Sequence, residues 1–169
     1  LQECCILKDA ESRPLYRDTS RQKVKFADPM EETDMSSTDT LLAPMKGAQH
    51  SEVGGVKLDI VRVGTARVKR VVYPSGFRWS THMKPTVGTD FCMHAHVGFL
   101  AQGQIHMEFA DGCIVEFMAP QVVSIEPGHD GWVVGNEPAV LIEFDFENDT
   151  VRNLGMPDRH THDDAGSRP

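Results

Sequence analysis

The chain has 169 residues, a hydrophobic share of 40% and a formal net charge of −8, which is enough apolar material for one ordinary domain. The negative balance argues against a general nucleic-acid binder, because phosphate binding needs a basic face. No run approaches the ~18 apolar residues of a membrane span, and the start shows no signal-peptide pattern, so a cytoplasmic protein without nucleic-acid or membrane partners is expected.

The first residue is Leu1 rather than Met, which points to a processed or truncated chain. Residues 1–50 read as a flexible acidic segment. Asp28, Glu31, Glu32, Asp34 and Asp39 lie between Lys25 and Lys46 with no basic residue among them. Such a stretch buries too little apolar surface to offset its ordering entropy. Leu41, Leu42 and Met45 are the residues expected to dock or to form a lead strand, and His50 reads as linker. Cys4 and Cys5 fall in this segment, whereas Cys92 and Cys113 fall among apolar runs. That is neither a zinc-knuckle spacing nor a disulfide framework, so thiols in a reducing cytosol are expected.

From residue 51 to 148 the pattern changes to one β domain. VKLDIVRV stops at Gly64, ARVKRVVY at Pro74 and Gly76, FRWSTHM at Pro85 and Gly88, HVGFLAQ at Gly103 and QIHMEF at Asp111-Gly112. CIVEFM stops at Pro120, QVVSIE at Pro127-Gly128 and WVV at Gly135, and AVLIEFDF closes the series. Period-two alternation with turn residues at such regular spacing predicts an all-β antiparallel sandwich or barrel. Residues 149–169 read as a polar C-terminal tail, and its His160-x-His162 pair as solvated.

Two stretches carry more than strand patterning. GTDFCMHAHVGFLAQGQIHMEFADG runs from Gly88 to Gly112, and SIEPGHDGWVVGNEPAVLIEF from Ser124 to Phe144. They resemble the two motifs of the cupin superfamily. With GFRWSTHMKP before them, they look like a group of small bacterial single-domain cupins. The resemblance implies an antiparallel cupin (jelly-roll) barrel, a small-molecule ligand, a divalent transition metal (Zn, Fe, Mn or Ni) and pairing into a homodimer. Val71, Val72 and Tyr73 are apolar candidates for the pairing edge.

The first motif can be laid on the chain in two registers, and neither reproduces the usual three-His, one-Glu ligand set. Anchored at Gly88, it places His94 and His96 as the H-x-H and leaves Leu100 or Ala101 where glutamate is expected. Anchored at Gly103, it places Asp90 and Cys92 at the His positions and His96 at the Glu position. In the second motif Gly131 stands at the His position, two residues after His129. Residues i and i+2 of a strand share a face, so His94 and His96 can chelate together, with His129 entering from the opposite wall. The metal candidates are therefore His94, His96 and His129, with Cys92, Asp90, Asp130 and His82 as possible additions. A purely turn-forming role for His129-Asp130 stays open. Lys84 and Arg78 are candidates for steering an anionic group, although Lys84 reads equally as a solvated strand-end lysine. His106 alternates with Gln104 and Glu108 and reads as solvent-facing. Two functions follow. One is a metal-dependent cupin performing oxygen insertion, isomerisation or lyase chemistry. The other is a non-catalytic cupin that binds or senses a small molecule without metal.

Overall fold

Glycine turns set the first strands. In the computed structural model, which describes residues 40–162, β1 (Gln49–Val53) and β2 (Val56–Val63) are joined by Gly54 and Gly55 at φ +57° and +80°. The type I′ form of a two-residue hairpin needs two positive φ angles, which glycine adopts without a Cβ penalty. β2 pairs antiparallel with β3 (Ala66–Tyr73) in the register Val63↔Ala66 to Lys57↔Val72. The later strands are β4 (His96–Gln102), β5 (Gln104–Phe109), β6 (Ile114–Met118), β7 (Gln121–Ile125), β8 (His129–Val134) and β9 (Ala139–Asp145).

The strands form a six-stranded sheet, β1-β2-β3-β9-β4-β7, and a three-stranded sheet, β6-β5-β8. All described pairings are antiparallel. Leu100, Val123, Ile125 and Leu141 of the larger sheet share one core with Ile105, Met107, Phe109 and Val133 of the smaller. The expected antiparallel jelly roll is thus the observed fold, as a two-sheet sandwich with open edges.

FRWSTHM is not the strand its alternation predicts. Its centre is a short helix, α1 (Trp79–His82), followed by α2 (Lys84–Val87). The reason lies 50 residues away. Asp130 of β8 accepts the Ser80 backbone N–H at 2.9 Å and the Ser80 hydroxyl at 2.8 Å, holding the first helical turn while Trp79 is buried. A tertiary carboxylate at a helix start satisfies a donor that a strand would have paired.

The edges of the domain also differ from expectation. β1 begins at Gln49, and His50 is not idle linker, since its Nδ1 meets Asp59 Oδ1 at 2.5 Å. After β9 come a 3-10 turn (Glu147–Asp149) and α3 (Thr150–Leu154). His160 is not solvated tail, because its ring stacks on Phe109 with centroids 3.9 Å apart. Val71 and Val72 are core residues and Tyr73 packs against that core, so this segment offers no pairing edge. His106 is only partly exposed, edge-on to Trp132 at 5.4 Å. Residues 1–39, with Cys4, Cys5 and most of the expected acidic segment, lie outside the described residues, as do residues 163–169.

Candidate functional site

Charged side chains enter the sandwich in phase with its core. On β9, Glu143 and Asp145 continue the inward series of Ala139 and Leu141. On β3, directly opposite, Lys69 pairs in register with Glu143, Arg67 with Asp145 and Val71 with Leu141. Lys69 Nζ lies 2.5 Å from Glu143 Oε2 and 2.6 Å from Asp145 Oδ2, and Arg67 Nε donates to Asp145 Oδ1 at 2.6 Å. Cross-strand register thus delivers alternating charges to one place, where each offsets the desolvation of its neighbour.

β4 brings histidine to this ladder. Gly98 stands opposite Glu143, and His96 begins the strand two residues earlier. The His96 Nδ1–H donates to Glu143 Oε1 at 2.6 Å, and its Nε2 faces the Cys92 sulfur at 3.7 Å. His94 precedes the strand rather than lying on it. Its Nε2 lies 3.0 Å from Asp145 Oδ2 and 3.1 Å from Lys69 Nζ. From the smaller sheet, His129 opens β8 opposite Phe109, and its backbone bridges to Cys92. The His129 Nδ1–H donates to the Glu126 carbonyl at 2.7 Å, which leaves Nε2 as its ligating nitrogen.

Two overlapping groups result. Cys92, His96 and His129 are all buried, with ligand atoms within 4.8 Å of one another; His94, His96 and Glu143 form the second group on the same criterion. His96 belongs to both. The three histidines singled out from the sequence are neighbours, with His94–His96 and His96–His129 ring centroids each 5.2 Å apart. The other additions stay apart from these groups. Asp90 is exposed and pairs with Lys84 at 3.0 Å, which accounts for that lysine too. Asp130 holds Arg78 and Ser80, and Arg78 also reaches Glu108 at 3.1 Å while lying over Trp132. His82 bonds within α1, through the backbone of Arg78.

The ionic partners set the protonation of the site. Burial opposes charge on His96, but the Glu143 carboxylate and the Cys92 sulfur outweigh it and hold the imidazole pKa up to about 10. Burial likewise pushes Glu143 up, yet His96 and Lys69 bring it down to about 2. For Cys92, burial is overcome by hydrogen bonds with His129 and His96, which keep the thiol well below its ordinary value. A thiolate is the form that binds metal or attacks an electrophile.

Glu143, Lys69, Asp145 and Arg67 were not among the sequence candidates. The signal was present: in AVLIEFDF and ARVKRVVY these charges fall on the inward phase of strands whose other inward residues are apolar. Beside these groups opens a cavity of about 400 Å³. Its wall is mainly apolar, with Tyr73, Phe77, Trp79, Ile105 and Met107, while Lys69, His94 and His96 give it one polar end.

No protein-family model and no curated protein matches the chain. Three solved structures similar to it bear cupin names. A cupin-like protein from Thermotoga maritima shares 17% identity at a TM-score of 0.39, over 53% of this chain and 66% of that one. The chain thus spans just under two thirds of that protein's length. An RmlC-like cupin from Shewanella frigidimarina shares 16% identity at a TM-score of 0.40, over 58% of this chain and 82% of that one. The Cnp3 cupin domain of Schizosaccharomyces pombe shares 12% at 0.42, over 66% and 78%.

Proposed function

We propose that this antiparallel two-sheet sandwich is a cupin that takes a small molecule beside a divalent transition metal held by Cys92, His96 and His129. The observation that carries this reading is the meeting of three buried ligand groups at the polar end of a roughly 400 Å³ apolar cavity. The donor set fits a metal. One thiolate and two imidazoles suit a borderline-soft ion, zinc ahead of iron, nickel or manganese. His129 and His96 each give their Nδ1–H to an oxygen acceptor, which orients the other nitrogen. His94, the third histidine expected as a ligand, serves in this reading to position Asp145 and Lys69. When bound, such an ion acts as a Lewis acid toward a ligand oxygen. Tyr73, Phe77 and Trp79 receive the apolar body, and Glu143 keeps His96 in place. With zinc the reaction class carried by this reading is isomerisation, whereas oxygen insertion would require one of the redox-active ions, iron, nickel or manganese, in its place.

Elemental analysis of untagged protein tests it. Wild type reconstituted with zinc, iron, manganese or nickel should retain an ion that Cys92→Ser, His96→Ala and His129→Ala each release from this site. Loss of all metal from wild type would sink the proposal.

A second reading is a metal-free binding module. It is favoured by the way Glu143, His96 and Cys92 satisfy one another without an ion. A thermal-shift screen separates the two, since only a bound species raises apparent stability. A response to organic ligands with none to metals selects the second.

We carry a cytoplasmic homodimer as part of the same proposal. Phe99, Val122 and Phe144 are exposed on the outer face of the larger sheet, with Phe99 opposite Val122 in register. Covering that apolar face would favour pairing. Light scattering of wild type and Val122→Lys should show a dimer and a monomer; a monomeric wild type removes this part.

A further inference from the structure

The turn between β5 and β6 is fixed from within. Gly112 N–H donates to the Phe109 carbonyl at 2.9 Å, Phe109 N–H to the Cys113 carbonyl at 2.9 Å, and Cys113 N–H to Asp111 Oδ1 at 2.9 Å. Cys113 is buried there, close to where residues 160–162 return to the sandwich. His160 stacks on Phe109, with 13° between the rings, and His162 stands edge-on to His160 at 5.0 Å. The Cys113 sulfur and one nitrogen from each of these two histidines lie within 4.8 Å of one another. His160 Nε2 is buried with no hydrogen-bond partner, while its Nδ1 lies 3.6 Å from Glu126 Oε2. Asp111 Oδ2 lies 3.0 Å from His162 Nε2.

We propose that Cys113, His160 and His162, with Asp111 as the adjacent carboxylate, form a second metal site of structural kind, taking a zinc-class divalent ion. A thiolate and two imidazoles are ligand types that zinc takes, and the Asp111 carboxylate bonds one of those imidazoles, His162. It shares no residue with Cys92, His96 and His129. Stacking alone accounts for the position of the His160 ring but not for the convergence of a thiol and a second imidazole on it. An orphaned ring nitrogen in a buried place costs free energy that a ligand bond removes. The ion would pin the C-terminal segment to the β5–β6 turn, beside the Phe109 ring on which His160 stacks.

Cobalt(II) titration of the untagged, chelator-stripped full chain tests the site, read by thiolate-to-cobalt absorption in the near ultraviolet and by bound metal per chain. The Cys92→Ser/His129→Ala variant should still bind one equivalent with that absorption. Adding His160→Ala and His162→Ala, or Cys113→Ser, should abolish it. In otherwise wild-type protein, His160→Ala/His162→Ala should lower the bound metal by one equivalent with unchanged circular dichroism. Zinc should also slow hydrogen exchange across residues 155–162 in wild type but not in His162→Ala. Unchanged stoichiometry and exchange in the histidine variants overturn the proposal. A single wild-type equivalent, lost with His160 and His162 but not with Cys92, upholds this site and removes the other one.

Discussion

Glu143 is 1% exposed and holds two cationic neighbours at once, Lys69 and His96. Removing one member of a buried ion cluster strands the others, at a cost of roughly 3–5 kcal/mol. Glu143→Gln should therefore destabilise metal-free protein by about 3 kcal/mol in urea unfolding. A loss under about 1 kcal/mol would show that the ladder is solvated in practice. Asp59 supplies a separate pH dependence on the outer strands. Burial pushes its carboxyl up, but the Met45 N–H, the His50 ring and the Arg70 guanidinium outweigh this and hold it below its ordinary value of 3.8. A carboxyl whose folded pKa is depressed stabilises fully above its unfolded value and loses that contribution as pH falls through the folded one. Asp59→Asn should thus be less stable than wild type at neutral pH, and the gap should narrow as pH drops below roughly 4. Urea midpoints measured from neutral to acid conditions check this, and a gap independent of pH would contradict it. Glu143 was legible in principle, because a carboxylate two residues from Leu141 and four from Ala139 shares their face. Its link to His96 is not local, because it depends on the pairing of β9 with β4, in which Gly98 stands opposite Glu143.

At the scale of elements, β4 and β9 approach so closely that the site depends on a missing side chain. A Cβ on Gly98 would stand 1.9 Å from the Ile142 carbonyl oxygen, part of a backbone that cannot yield without parting the strands. Gly131 contrasts with it: a Cβ there meets Met107 Sδ at 2.7 Å, the far end of a flexible side chain. Overpacking typically costs about 1–3 kcal/mol where neighbours can shift. Gly131→Ala should fall within that range, whereas Gly98→Ala should exceed it or yield insoluble protein. Urea unfolding and soluble yield compare the two, and equal losses would mean that β4 and β9 separate easily. Most strands were readable because glycine and proline bound alternating runs, which local sequence reports directly. The α1 segment was not, because the group that caps it, Asp130, arrives from β8. The same holds for the site. His94, His96 and His129 stand out in the motif region, but their partners come from strands distant in sequence. The stacking of His160 on Phe109 is likewise illegible in the sequence, because nothing local to residues 160–162 announces that ring.

For the whole molecule, ions that bind only the folded chain should act as stabilisers. At free zinc a hundredfold above the dissociation constant, one site adds about 2.7 kcal/mol. Differential scanning calorimetry of stripped protein with increasing zinc should show a rising unfolding temperature, with a smaller rise for Cys92→Ser. A flat response in wild type would remove both metal proposals together. The cavity also joins two kinds of chain. Its ionic end comes from strand positions, Lys69, His96 and Glu143, and much of its apolar end from the 77–93 segment, through Phe77, Trp79, Met83 and Val87. A strand position cannot be lengthened without slipping every neighbour's register, whereas a connecting segment accepts insertions and new side chains. Relatives of this protein can therefore diverge in the molecules they admit by exchanging residues 77–91 between β3 and β4, while inheriting unchanged the Lys69, His96 and Glu143 that the strands supply.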